Sequence, residues 1–317
     1  MKNFFLSIIF FLIILNQGAA QKPFTKEIGI YTDNDLYISL FNDGYYTNGV
    51  TLFYKFIPKS QDTSFPKKII EYNLGIKMYT PRNGSAPLIT DQDRPFAGYL
   101  HGKAFLNYFY ENESYLKVGI SLGIVGPSSG GGKIQNSVHK LLGMYEIKGW
   151  EYQIQDLLAL NAHFLFSKKI FRICSERIDL QALTEVNIGT VETNGSIGFI
   201  NRLSMFPVNK IYNSGLFGSL IDSRALKKSQ HISEFFLFVK PMVHYRIYDA
   251  TIQGSIFNDK SPVTFGIEPI LYSLETGVVF QLYRVNFKYT VTFNGIEVLN
   301  DKVRRHTYGS IDISYIF

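Results

Sequence analysis

The sequence predicts an all-β chain, a 12-stranded antiparallel transmembrane β-barrel with a short helix in the third extracellular loop. Three observations predict it. Aromatic residues make up 15% of the chain, with 27 Phe and 21 Tyr, against 18% charged residues, and a barrel wall is apolar and girdled by aromatics where it meets lipid. After the N-terminal segment no run approaches the ~18 consecutive apolar residues of a spanning helix. Several segments alternate apolar and polar residues, the period of a strand whose two faces meet different surroundings.

Residues 1–20 read as a secretory signal. Lys2 is followed by an apolar run from Phe4 to Leu15 and by the small residues Gly18-Ala19-Ala20, with cleavage expected after Ala20. The run falls short of the ~20 residues that anchor a chain in a bilayer. Residues 21–317 then form a single barrel domain. Its candidate strands are 26–35, 47–57, 69–79, 101–111, 114–124, 152–167, 177–189, 194–204, 232–248, 269–282, 284–294 and 306–317.

The clearest alternation sets Val285, Phe287, Tyr289, Val291 and Phe293 against Arg284, Asn286, Lys288, Thr290, Thr292 and Asn294. Leu116 to Ile124 repeats it, as does Phe235 to Ile247, in which Pro241 marks a bulge or a break in the ladder. A secreted β-sandwich strand would show the same alternation once; its recurrence favours the barrel. The last strand ends on Phe317, a terminus that resembles the signal read by the outer-membrane insertion machinery. An even strand count closes an antiparallel barrel with both termini periplasmic. Closure is needed because each unpaired backbone group in hydrocarbon costs several kcal/mol.

With that topology, 36–46, 80–100 and 125–151 are extracellular loops and 112–113 is a tight periplasmic turn. The connection 205–231 is long for the periplasmic side, and nothing in its sequence accounts for the length. Cys174 is the only cysteine, which excludes an internal disulfide. The net charge of +6 is scattered along the chain. It suits anionic lipid headgroups and gives no nucleic-acid footprint.

Polar residues with chemical potential gather in the outer loops. Asn34 and Asp35 close the first strand and offer hard oxygen ligands for Ca2+. A cation there could polarise an ester carbonyl, and Thr47 could hold water or substrate. Gly130 to Gly132 lead into the one good amphipathic helix, where Ile134, Val138, Leu141, Leu142 and Tyr145 recur at helical spacing. That apolar stripe is expected to lie on the outer rim of the wall. Gln135 and His139 stand four apart on a neighbouring stripe. A histidine titrates near neutrality, which suits a general base, although loop histidines are commonly only solvated and Asp-Asn-Asp is also a turn composition. No G-x-S-x-G elbow, H-E-x-x-H or Walker loop is present.

At these loops the chain resembles the lipid A 3′-O-deacylase family of outer-membrane proteins. The matching segments are Asn34-Asp35-Leu36, Tyr46-Thr47-Asn48-Gly49, Tyr79-Thr80-Pro81, Asp93 to Gly98, Gly123 to Pro127, Gln135 to His139, Gly149-Trp150 and Gly266 to Pro269. The resemblance implies a calcium-dependent esterase site at the outer rim, between the wall and a loop helix. It implies His139 as the residue that activates water, Asn34 and Asp35 as support for calcium and the oxyanion, and Thr47 at an essential Ser/Thr position. It further implies cleavage of the ester-linked 3′-acyloxyacyl group of lipid A within lipopolysaccharide. Arg82, Arg94, Gln135 and Glu146 are the candidates for substrate contact. Residues 82–90 offer Arg82 where family members carry a lysine, and the acidic residue after the helix falls on Glu146 only if the register slips by one from Tyr145. The other readings are an outer-membrane phospholipase using the same site and a non-catalytic structural barrel. A transport porin fits less well, because twelve strands leave a lumen that side chains and loops can largely fill.

Overall fold

The computed structural model describes residues 24–38, 45–59, 67–221, 233–300 and 305–317; the signal segment 1–20 lies outside them. Twelve strands close into one antiparallel barrel in chain order. They are β1 Lys26–Asn34, β2 Tyr45–Phe56, β3 Lys67–Thr80, β4 Ala97–Phe109, β5 Tyr115–Val125, β6 Leu157–Ile173, β7 Ile178–Gly189, β8 Glu192–Leu203, β9 Ser233–Asp249, β10 Ile270–Leu282, β11 Val285–Asn294 and β12 His306–Ile316. All twelve expected strands are present. The largest displacement is in β6, where Trp150–Tyr152 coils into a 3-10 turn before the strand starts. Pro241 pairs across to Leu274 of β10. The ladder to β8 skips Lys240 and Pro241 and resumes in the same register, so the proline makes a break and no bulge.

Side-chain parity divides the wall. Ile28 and Ile30 on β1, Leu52 on β2, Leu74 on β3, Ile120 and Leu122 on β5 and Ile313 on β12 are exposed on the outside. The opposite parity carries Glu27, Lys55, Glu71, Lys117, Lys240, Glu275 and Lys288 into the lumen, where they pair. Lys117 meets Glu71 at 3.0 Å. Lys240 lies between Glu185 at 3.2 Å and Glu275 at 3.7 Å. Buried charges persist when they are paired, and here they cross the lumen from strand to strand.

Described segments pack into each end of the lumen. At the periplasmic end, the described part of the long β8–β9 connection turns inward, and its length is explained by what it fills. Ile211, Leu216 and Ile221 bury against Phe109, Tyr115, Phe236 and Phe238, with Phe217 stacked on Tyr115 at 4.5 Å. Polar anchors hold this plug. Glu113 receives Lys169, Arg172 and, at 3.2 Å, the backbone N–H of Ile211. Arg202 is wholly buried, donates from Nε to Asp179 at 2.9 Å, and reaches Ser214 of the plug at 2.9 Å. At the outer end Arg94 is buried over the Tyr79 ring and donates to Glu297 at 3.1 Å and Thr251 at 2.9 Å. It ties the second outer loop to the short helix α2, Ala250–Gln253, and to the β11–β12 loop.

Two predictions follow from the anchors. Arg202→Ala takes one of two guanidinium partners from buried Asp179, which keeps Arg172 at 3.0 Å, and the Arg202 charge from buried Glu234, which keeps its hydrogen bonds from Ser214 and Gly215. It should lower stability by about 3–5 kcal/mol, read as an earlier guanidinium midpoint of the refolded barrel, and a wild-type midpoint would contradict the buried pairing. For Glu113, burial pushes the carboxyl up, but the Lys169 hydrogen bond and the Arg172 charge outweigh it and hold the group below the usual range. Its stabilisation is therefore complete above the unfolded value, ~4.3, and is lost as pH falls through the lower folded value. Glu113→Gln should flatten the loss of stability measured by acid titration below about pH 4.

Candidate active site on the lipid-facing wall

The site is built on the outside of the barrel. Ile28, Ile30, Thr32 and Asn34 share one parity of β1, and the two isoleucines are exposed to the lipid side. Asn34 pairs with Asn48 of β2, Asn48 with Met78 of β3, and Met78 with Gly98 of β4. These four residues form one outward row at the extracellular rim. Asn34 donates from Nδ2 to Oδ1 of Asn48 at 2.5 Å, while its own Oδ1 accepts the backbone N–H of Leu36 at 2.8 Å and caps the 3-10 turn Asp35–Tyr37. The chain then folds back over β12. The Tyr37 carbonyl accepts the Tyr289 hydroxyl at 3.0 Å, and Gly309 leaves room beneath, since a Cβ there would come within 2.7 Å of the Tyr37 Cβ. Asp35 is buried at this bend.

On the other side of the row sits helix α1, Gly131–Leu142. Its N-terminus is seated by glycine. A Cβ on Gly131 would fall 2.9 Å from the Gly98 Cα, and one on Gly132 would fall 2.8 Å from the Trp150 indole. Gly130 and Gly143, with φ of 76° and 68°, turn the chain into and out of the helix through the left-handed region. Gly130 to Gly132 is thus a packing surface as well as a turn. The C-terminal stop is Gly143. Beneath the helix Met78, Ala86, Phe96, Ile147 and Trp150 form a small core outside the wall, with the Phe96 and Trp150 rings 5.1 Å apart.

The orientation of α1 corrects one expectation. Its buried stripe is Gly131, Gln135 and His139, while Ile134, Val138 and Leu141 are exposed. Glycine permits an approach that leucine or isoleucine would block, so the small and polar face goes to the wall. Gln135 accepts the Trp150 indole N–H at 3.0 Å. On the facing flank Asn136 exchanges two hydrogen bonds with the Ile147 backbone, at 3.2 and 2.9 Å. His139 places Nδ1 2.8 Å from the Tyr145 carbonyl, with the Tyr145 ring edge-on at 5.3 Å. A carbonyl only accepts, so Nδ1 carries the proton and Nε2 is the basic nitrogen.

The other candidates divide. Thr47 falls at the β2 bulge between Tyr46 and Asn48, with its side chain outside the described residues. Arg82 and Glu146 are exposed at the rim, and the Arg82 backbone N–H is held by Asp93 at 2.9 Å. Arg94 is not brought to the wall–helix site. Its ion pair with Glu297 and its stacking on lumen-facing Tyr79 take it inside the barrel mouth, and the neighbouring Phe96 takes the outer position. Sequence reasoning assigned no role to Asn48, although a polar residue sharing the parity of Val50 and Leu52 signals something at the lipid-side rim. The described residues hold no group of three or more His, Cys, Asp or Glu side chains poised for a metal. The donors near the β1 tip, Asp35 with the Asn34 and Asn48 amide oxygens, are all hard oxygens, the ligand class that calcium shares with magnesium and manganese.

A closed barrel with an apolar outer wall defines the class as an outer-membrane β-barrel. The sequence model of the family described as outer membrane protein LpxR matches residues 4–317, and the chain belongs to that family, the lipid A deacylase family that its loop segments resemble. Among solved structures, LpxR from Salmonella typhimurium is 20% identical, covers 92% of this chain and 100% of its own, and superimposes with a TM-score of 0.72; at that identity the likeness speaks for the fold. The β domain of the Bordetella autotransporter Brka is 10% identical with a TM-score of 0.49 over 93% of this chain and 100% of its own. A comparison with curated proteins finds no match.

Gly98→Val tests the seating of α1. The new Cβ would meet Ser129 Oγ at 2.2 Å and Gly131 Cα at 3.1 Å, so the helix must lift. Trp150 is the only tryptophan, and its emission should shift to the red and become open to iodide quenching; unchanged emission would mean the contact is dispensable.

Proposed function

We propose that this protein hydrolyses an ester-linked acyl group of lipid A, the 3′-acyloxyacyl unit, with His139 as general base. The observation that carries the reading is the His139–Tyr145 hydrogen bond on the face of α1 turned to the lipid-side wall. Membership of the LpxR family supports the substrate class.

The chemistry follows from the tautomer. Nε2 takes a proton from water, and the resulting hydroxide adds to the ester carbonyl. The imidazolium then returns that proton to the departing alkoxide, so the ring ends the cycle as it began. Charge that develops on the ring is stabilised through Nδ1–H by the Tyr145 carbonyl, which also fixes the ring plane. Asp35 with the Asn34 amide would hold calcium, which when bound supplies positive charge to polarise the carbonyl and to stabilise the oxyanion. Thr47, in β2 beside Asn48, is the candidate for holding water or substrate. Gln135 acts as a strut through Trp150. A lipid reaches this site sideways from the outer leaflet, since the row Asn34, Asn48, Met78 and Gly98 lies on the outer face of the wall.

Mass spectrometry of lipid A from cells with and without the protein should show loss of one acyloxyacyl unit. His139→Ala should reduce that conversion by about 10²–10⁴-fold, and EDTA should abolish it until calcium is restored. Conversion that survives both treatments would end the mechanism. An unchanged lipid A profile with lysophospholipid release would replace the substrate by a glycerophospholipid.

A further inference from the structure

The exposed stripe of α1 is left without an occupant by the site chemistry. At about 100° per residue, the helix presents three surfaces. Gly131, Gln135 and His139 face the wall, Lys133, Ser137 and Lys140 are exposed on the far side, and Ile134, Val138 and Leu141 lie on one flank. Those three apolar residues are 43%, 46% and 84% exposed. The opposite flank is tied through Asn136 to the Ile147 backbone, in the loops beyond the strand ends. The apolar flank therefore turns away from those loops, toward the membrane-spanning strands.

What lies there is the lipid-facing wall. Val50, Ile76, Leu100, Ile124 and Leu158 form the outward row directly below Asn48, Met78 and Gly98. Leu100 is two residues, ~7 Å, along β4 from the glycine on which α1 rests, and it is exposed, as is Leu158. The apolar flank of the helix and the hydrocarbon-facing wall form one continuous surface. We infer that α1 is an interfacial element of the outer leaflet. Ile134, Val138 and Leu141 are immersed among lipid acyl chains, and Lys133 and Lys140 reach the anionic headgroups, as lysine stems do when they snorkel. Tyr37 and Ile38, exposed on the opposite side of the Asn34–Asn48 pair, form a second apolar lip at the same rim.

The test reads immersion directly and does not depend on any catalytic activity. Cys174→Ser removes the only cysteine. Nitroxide labels are then placed singly at Val138→Cys, Leu141→Cys, Lys133→Cys and Lys140→Cys, all exposed positions, and at Ile120→Cys as a wall reference. The folded barrel is reconstituted in phosphatidylethanolamine–phosphatidylglycerol vesicles. Collision with oxygen should exceed collision with a nickel chelate several-fold at 138 and 141, as at 120, and the order should reverse at 133 and 140. Nickel accessibility at 138 and 141 equal to that at 133 and 140 would overturn the inference. Dipolar broadening at 141 would overturn it too, by putting a second copy of the chain on the stripe.

Discussion

Everything at the rim depends on two backbones coming close where lipid would otherwise be. Gly98 on the outward parity of β4 and Gly131 at the start of α1 leave no side chain between wall and helix. That contact turns the polar stripe of the helix inward and holds His139 against the outside of the barrel. A larger residue at either place would push the histidine into the leaflet. The core of Met78, Phe96 and Trp150 then fixes the helix from beneath, with Gln135 bracing the indole.

The barrel interior is given over to stability. Glu71, Lys117, Glu185, Lys240 and Glu275 pair across the lumen, and the 204–221 segment fills its periplasmic end. Arg94 and Glu297 help cover the outer mouth. Charge pairs and the inward-turned segment occupy much of the described lumen. The reactive surface is the one that already faces lipid. The inverted amphipathicity of α1 belongs to the same design, because a helix at the interface satisfies its apolar flank in acyl chains and its lysines in headgroups.

The strands were legible because each had to alternate. One face meets hydrocarbon and the other a wet, charged lumen, so a residue of the wrong type is expensive at nearly every position. The two ends of the site were legible as motifs, Asn34-Asp35 and Gln135 to His139, but not their relation to each other. Asn48 stood in a matching segment without a role, because its meaning lies in its cross-strand pairing with Asn34, fourteen residues away in sequence. Arg94 misled for the complementary reason. Within one short segment the chain crosses the rim, and Arg94 goes inward to Glu297 while Phe96 goes outward to Trp150. No spacing rule distinguishes them.

By itself the sequence determined the strand count, the closure, the outer-membrane setting, the family and the helix that bears the histidine. These follow from local periodicity and short motifs, which the chain carries without reference to distant partners. Only the tertiary structure decided which face of that helix meets the wall, why the long periplasmic connection exists, and which nitrogen of His139 is basic. Each of these is set by a contact between residues far apart in sequence or by the path of a loop: Gly131 on Gly98, Phe217 stacked on Tyr115, and the Tyr145 carbonyl at Nδ1.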